Sequence, residues 1–208
     1  MSKVAIVTDS TSTIPAHLLE GHNIHVIPQV VIWSDVTYRD GIDIKPKEFY
    51  ERLAASSVSP TTSQASAGDF KTVYENLHGQ GFDILTIVLS SKLSGTYASA
   101  TQARDMVPGA RIEIIDSFSI AMAMGFLVLE TAKKAEAGAD LATCTAFAEK
   151  GKEHLGLVVA PETLEYLHRG GRIGGGARFL GTVLNLRPIL ELKEGRLEAV
   201  ERVRTRKK

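Results

Sequence analysis

With 208 residues, the chain has room for one large domain or two small ones, and 44% apolar content fits a globular protein with a real core. Lys and Arg total 24 and Asp and Glu total 24, so no bulk charge draws nucleic acid or an anionic membrane. The single cysteine, Cys144, excludes an internal disulfide framework and fits a reducing cytoplasm, and no apolar run reaches transmembrane length, so no stable membrane insertion is expected.

Val4-Ala5-Ile6-Val7 reads as a strand that starts at once, leaving no room for a signal peptide, and runs into Thr8-Asp9-Ser10-Thr11-Ser12-Thr13. Asp9 and Ser10 are candidates either to cap the next helix, over residues 15–20, or to orient a ligand; Pro15 suits a first helical position. Residues 24–32 read as a strand interrupted by Pro28, hence an edge or a bulge. Residues 36–41 resemble a hairpin with Asp40-Gly41 as its turn. Residues 47–55 have helical spacing with Phe49, Tyr50 and Leu53 on one side. A polar loop over 56–66 contains Thr61-Thr62-Ser63-Gln64-Ala65-Ser66, a set of hydroxyls able to converge on a carboxylate or phosphate or simply to face solvent. A helix over 68–78 follows.

The chain is organised around residues 84–96. Ile84-Leu85-Thr86-Ile87-Val88-Leu89 is the continuous β-branched run of a strand buried on both faces, as in a parallel sheet. It ends in Ser90-Ser91-Lys92-Leu93-Ser94-Gly95-Thr96, and helix formers run from Tyr97 to Met106. Hydroxyls and a glycine therefore sit where a buried strand gives way to a helix, the usual ligand crevice of an open α/β sheet. Unpaired N–H groups and the dipole at that helix start favour an anion, and Gly95 lets a ligand approach the backbone. An N-capping serine in a tight turn is the plainer alternative.

A further strand over 111–117 ends in Asp116-Ser117, and helices are expected over 120–137 and 141–153. Met122, Met124, Phe126, Leu127 and Leu129 of the first would line an apolar sleeve or fill the core. Alternating strands and helices predict a parallel α/β sheet flanked by helices, Rossmann-like and three-layered. A boundary near His154 divides this domain, 1–154, from a smaller α/β domain, 155–208. The run Gly170-Gly171-Arg172-Ile173-Gly174-Gly175-Gly176 is no nucleotide loop: Gly176-Ala177 stands where a P-loop needs Lys-Ser/Thr, and no strand precedes it. Arg172 can still reach an anion. Residues 188–200 carry a hairpin signature around Lys193-Glu194-Gly195-Arg196, and 202–208 are strongly basic.

Taken in order, Thr8-Asp9-Ser10-Thr11, Thr62-Ser63-Gln64-Ala65-Ser66, Ser90-Ser91-Lys92-Leu93-Ser94-Gly95-Thr96, Ile115-Asp116-Ser117, Leu164-Glu165-Tyr166-Leu167-His168-Arg169-Gly170-Gly171-Arg172-Ile173 and Arg187-Pro188-Ile189-Leu190 resemble the motifs of the DegV family over essentially the whole chain. That resemblance implies one long-chain fatty acid bound between two α/β domains, no other cofactor and no metal. It also implies presentation to a separate ATP-binding subunit, similar to dihydroxyacetone kinase, that phosphorylates the carboxylate. By the same resemblance the carboxylate ligands are Thr62 and Ser94, with Ser63, Gly95 and Thr96 in support and Arg172 as a phosphate or partner contact. Two departures carry expectations of their own. Ala65 stands where many relatives have proline, implying a looser loop, and relatives continue past Lys208 with elements that include a carboxylate-binding histidine, so the second domain is expected to be incomplete.

Two other classes of function compete. A serine hydrolase or acyltransferase using Ser94 needs a base within hydrogen-bond reach, but none of His17, His22, His25, His78, His154 and His168 has a context suggesting it, and no G-x-S-x-G elbow surrounds Ser94. A regulatory or scaffold protein would dock through the basic C-terminal segment.

Overall fold

The computed structural model describes residues 3–175 and 187–203. In chain order the first elements are β1 (Val4–Asp9), a single 3-10 turn (Ser10–Ser12), α1 (Ala16–Leu19), β2 (Ile24–Ile27), β3 (Val30–Trp33) and β4 (Val36–Arg39). Then come α2 (Pro46–Ala55), β5 (Thr61–Ser63), α3 (Ala67–Gly79), β6 (Asp83–Val88), α4 (Thr96–Asp105) and β7 (Ile112–Asp116). The remainder is α5 (Ala121–Glu136), α6 (Leu141–Lys152), β8 (Val158–Val159), α7 (Glu165–Arg169), β9 (Arg187–Lys193) and β10 (Arg196–Val203).

A four-stranded parallel sheet in the order β2-β1-β6-β7 forms the centre. β1 and β6 are buried at every position, which is why both read as unbroken apolar runs. The two-residue period of a strand divides their side chains between two cores. Val4, Ile6, Leu85, Ile87 and Ile115 meet Met124, Leu127 and Val128 of α5 and Leu141, Cys144 and Ala148 of α6. Ala5, Val7, Ile84, Val88 and Ile112 meet Phe70, Tyr74 and Leu77 of α3 and Ala100 and Ala103 of α4. Helices on both faces make the three-layer α/β arrangement expected from the alternation of elements. On the second face the Tyr74 hydroxyl lies 2.9 Å from Thr86 Oγ1, and burial pushes its pKa upward, so the phenol stays protonated.

The chain leaves this sheet at Pro28-Gln29. One interrupted strand over 24–32 was the expectation; two strands in two sheets are found. β2 ends at Ile27 on the edge of the parallel sheet, and β3 starts at Val30 in a small antiparallel sheet of order β4-β3-β5. Pro28 has no N–H for a ladder, so the break falls where pairing would fail. The β3–β4 turn is Ser34-Asp35, with Ser34 at φ 56°, and not Asp40-Gly41, which instead bridges to Ile44. The polar stretch 56–66 contains strand β5, with Thr62 opposite Val31.

β8, β9 and β10 form a third sheet, antiparallel in the order β10-β9-β8. Glu194 and Gly195, at φ 49° and 78°, make the hairpin turn the sequence pattern predicts. Leu190, Leu197 and Ala199 are buried against Val159, Leu164, Leu167 and Leu192. Among the described residues no helix is long and apolar enough to cross a membrane.

Helix α5 belongs to the core rather than to an open sleeve over most of its apolar face. Met124, Leu127 and Leu129 are buried, whereas Phe126 is exposed and Met122 half-buried. The helix lies against the Ser10–Ser12 turn through Gly125, where an added Cβ would stand 2.8 Å from the Ser12 carbonyl oxygen and 3.0 Å from Ile14 Cγ1. Gly125→Ala therefore gains about 1 kcal/mol in helix propensity but loses roughly 1–3 kcal/mol to overpacking against backbone. The expected outcome is a lowered urea midpoint with an unchanged slope; a raised midpoint would show that the turn yields.

Candidate functional site

The carboxyl ends of β1 and β6 meet in a polar knot. Asp9 is fully buried; its Oδ1 accepts from the Thr11 N–H at 2.9 Å and the Thr11 hydroxyl at 2.5 Å, and its Oδ2 accepts from the Leu89 N–H at 2.9 Å. It caps the Ser10–Ser12 turn and ties it to the loop that follows β6. Ser10 donates to Asp40 Oδ2 at 2.6 Å and accepts from the Gln29 N–H at 3.0 Å. Neither residue caps the helix over 15–20, as one expectation had it: α1 has Pro15 at its N-cap and no side-chain cap, and Asp9 caps the preceding Ser10–Ser12 turn instead.

The hydroxyls of loop 90–96 divide by burial. Ser90 is buried and donates to the Gly195 carbonyl at 2.8 Å, while the Lys92 N–H donates to it at 3.1 Å. Ser91 is exposed, and its N–H donates to the Asp116 carboxylate at 3.2 and 3.3 Å. Ser94 is half-buried just ahead of α4, whose N-cap Gly95 supplies no side-chain cap. The Ser94 hydroxyl lies 2.8 Å from Thr96 Oγ1 and accepts weakly from the Thr96 N–H at 3.3 Å. Thr96 itself is fully buried. The helix start behind Ser94 offers N–H groups and a positive dipole end to an anion.

The second loop is fastened to the first through two glutamines. Thr62 and Ser63 are exposed on β5, and Ser63 Oγ approaches the Gln64 carbonyl at 3.5 Å. The Gln64 side chain lies over Gly95, so that a Cβ there would stand 2.7 Å from Gln64 Nε2. Gln29, 8% exposed, accepts from the Ala65 N–H at 3.0 Å and donates to Thr96 Oγ1 at 3.1 Å. Ala65, expected to loosen this loop, instead is fully buried and supplies an N–H that a proline could not. Gln29 escaped sequence reading: a lone glutamine after a proline has no motif, and its partners are 36 and 67 residues away.

Arg172 reaches the same loop from the segment after α7. Its Nε donates to the Leu93 carbonyl at 3.0 Å, and its Nη1 donates to the Gly170 carbonyl. Arg169 donates to Ser59 and pairs with Glu165 at 2.6 Å. Thr62, Ser63, Ser94, Gly95, Thr96 and Arg172 therefore belong to connected segments. Residues 176–186 and 204–208 lie outside the described residues, as does the side chain of Arg202, so the end of the glycine run and the basic stretch beyond Val203 fall outside this description.

A cleft of about 1180 Å³ lies between the β9–β10 hairpin and the loops after β6 and β7 with the end of α6, lined among others by Lys92, Phe118, Lys152, Leu155, Glu191 and Arg196. Neither Thr62 nor Ser94 lines it, and its mixed charges suit an alkyl chain poorly. Cys144 is buried in the core and burial pushes its thiol pKa up, which fits a structural residue. Among the described residues no group of three or more His, Cys, Asp and Glu side chains is placed to hold a metal.

Because Gln64 is exposed and flexible, Gly95→Ala should cost less than about 0.5 kcal/mol of stability while displacing the Gln64 amide. Thermal unfolding together with the Gln64 side-chain amide resonance checks this. A large stability loss with the resonance unmoved would mean that Gln64 does not lie over Gly95 in solution.

Comparison with known proteins gives this geometry its context. A family model described as "Uncharacterised protein, DegV family" matches residues 3–208. A DegV domain-containing protein of Caldanaerobacter subterraneus is 41% identical over 209 residues, covering 100% of this chain and 74% of that protein. A counterpart from Clostridium perfringens is 38% identical, covering 99% of this chain and 74% of its own length. Among solved structures, a DegV family protein from Thermus thermophilus described by its fatty acid binding superposes with a TM-score of 0.89 at 39% identity, over 98% of this chain and 72% of its own. DegV of Bacillus subtilis, described as a fatty acid binding protein, gives 0.90 at 35% identity, over 100% and 74%. With the fold, the order of the motifs and all three comparisons in agreement, the chain belongs to the DegV family.

Proposed function

We propose that this protein is a non-catalytic cytoplasmic carrier that binds one long-chain fatty acid between an N-terminal domain, 1–154, and a smaller domain beginning at 155. The carboxylate is held by Thr62 and Ser94, with Ser63, Gly95, Thr96 and Arg172 in support. The observation that carries the reading is the position of Ser94: a half-buried hydroxyl at the carboxyl end of a central parallel strand and at the start of α4, next to a loop crossed by the Arg172 guanidinium. The fatty acid binding described for the Thermus and Bacillus proteins supports it. So does a stearic acid-binding protein from Eubacterium ventriosum with a TM-score of 0.88 at 28% identity.

The physical chemistry is consistent. Hydroxyl and N–H donors hold a carboxylate without the desolvation cost of a buried ion pair. The affinity then comes from the tail, at about 0.8 kcal/mol per buried methylene. Presentation to a separate ATP-binding subunit, similar to dihydroxyacetone kinase, gives the exposed Arg172 a role, since a guanidinium beside the Ser94 loop suits a phosphate. A serine hydrolase is disfavoured because the Ser94 hydroxyl bonds to Thr96 and not to a base, while His22 pairs with Glu136 and His25 with Asn23.

Purified protein from a bacterial host should carry a fatty acid of roughly 14–18 carbons, read by denaturation, extraction and mass spectrometry. Folded protein devoid of lipid would count against the carrier reading. Ser94→Ala should weaken binding about ten- to a hundred-fold with little change in unfolding temperature, and Thr62→Ala with Ser94→Ala should be non-additive, because both donors share one acceptor. An unfolding shift without an affinity shift would reduce Ser94 to a cap.

A further inference from the structure

Ser94 is one end of a hydrogen-bonded chain that passes through the buried side chain of Gln29. The chain runs Ala65 N–H, Gln29, Thr96, Ser94. Its polarity follows from which groups can only donate. The Ala65 N–H is a donor alone, so the Gln29 atom 3.0 Å from it is the carbonyl Oε1. This fixes the amide orientation and turns Nε2, also a donor alone, toward Thr96 Oγ1 at 3.1 Å. Thr96 Oγ1 then accepts from Gln29 and has one proton to give. Ser94 Oγ at 2.8 Å is a better acceptor position than Gln29 Oε1 at 3.4 Å. Ser94 Oγ therefore accepts from Thr96, and from the Thr96 N–H at 3.3 Å as well. In that order the Ser94 proton is not used within the chain.

We infer that Gln29 is a positioning residue that makes Ser94 an obligate donor, so that the site selects headgroups that only accept, such as a carboxylate or an acyl phosphate, over headgroups that donate. Gln29 touches no ligand. It is 8% exposed, and its backbone is itself held, through its N–H to Ser10 Oγ at 3.0 Å and from there to Asp40 Oδ2 at 2.6 Å. The same amide carbonyl holds the loop of Thr62 through Ala65, so one side chain sets both the spacing of the two hydroxyl loops and the direction of the proton on one of them. The inference rests on the fatty acid reading for its ligand but not for its proton order.

Two experiments separate those dependencies. The first compares binding of palmitate with binding of hexadecanol, which share a tail of the same length and differ in whether the headgroup can donate. Wild type should prefer palmitate. Gln29→Glu offers two acceptor oxygens, so Thr96 donates to it and in turn accepts from Ser94, whose proton is then used inside the protein. Palmitate affinity should fall at least about ten-fold while hexadecanol changes less than about two-fold. Gln29→Leu adds no charge and leaves the Thr96 proton undirected; it should shrink the palmitate preference several-fold without reversing it. Equal losses for both ligands in both variants would make Gln29 a packing residue and overturn the inference. The second experiment is a neutron structure of the unliganded wild type. A deuteron on Thr96 Oγ1 directed at Ser94 upholds the proton order, and one directed at Gln29 Oε1 overturns it. Wild type that binds neither palmitate nor hexadecanol would remove the carrier reading while the deuteron position still decides the role of Gln29.

Discussion

The Asp9 carboxylate is the constraint on which the site depends. A parallel sheet leaves backbone groups unpaired where its strands end, and those groups must find partners when buried. Asp9 meets that need by accepting from Leu89 across the sheet and from Thr11 along its own chain. The result is a rigid joint between β1 and the loop after β6. From it the Ser10–Ser12 turn offers Ser10 to Gln29 and Ser12 to the close approach of α5 at Gly125. The hydroxyl loops proposed to hold a carboxylate are thus anchored by a buried carboxyl group at the sheet's edge.

Much of the fold was legible because burial leaves strong marks. β1, β6 and β7 carry the apolar runs of a sheet covered on both sides, and α3, α5 and α6 carry helix formers between clear stops. Where the reading failed, a local signal had two physical meanings. Pro28 can kink a strand or end one, and only the pairing partners of 24–27 and 30–33 decide that it ends one. Asp40-Gly41 has turn chemistry, but Ser34 accepts a positive φ and makes the shorter hairpin. β5 is three exposed polar residues that are a strand only because Val31 and its neighbours pair with them.

The site divides the same way. Ser94, Gly95 and Thr96 stood out because hydroxyls and glycine at a strand-to-helix junction have a known use. Thr62 and Arg172 were only open candidates on their own residues, since a polar loop and a glycine-rich segment have many fates, and the motif resemblance gave them their roles. Gln29 was invisible, and Ala65 was read with the wrong sign. What matters in both is a single long-range hydrogen bond, and no periodicity or composition encodes one.

The hydrogen bond from Ser90 to the Gly195 carbonyl joins residues 105 apart in sequence, with the hairpin tip pressed against Phe118. Closing so long a loop has an entropic cost that local contacts do not repay. The β8–β9–β10 sheet has a small cluster of its own, with Leu190, Leu197 and Ala199 as its buried side chains among the described residues, so it gains order chiefly by docking on a finished parallel sheet. Its amides should then exchange with solvent together and ahead of those in β1 and β6, as a separate cooperative unit. The chain would assemble in two acts, with the second reporting on the first.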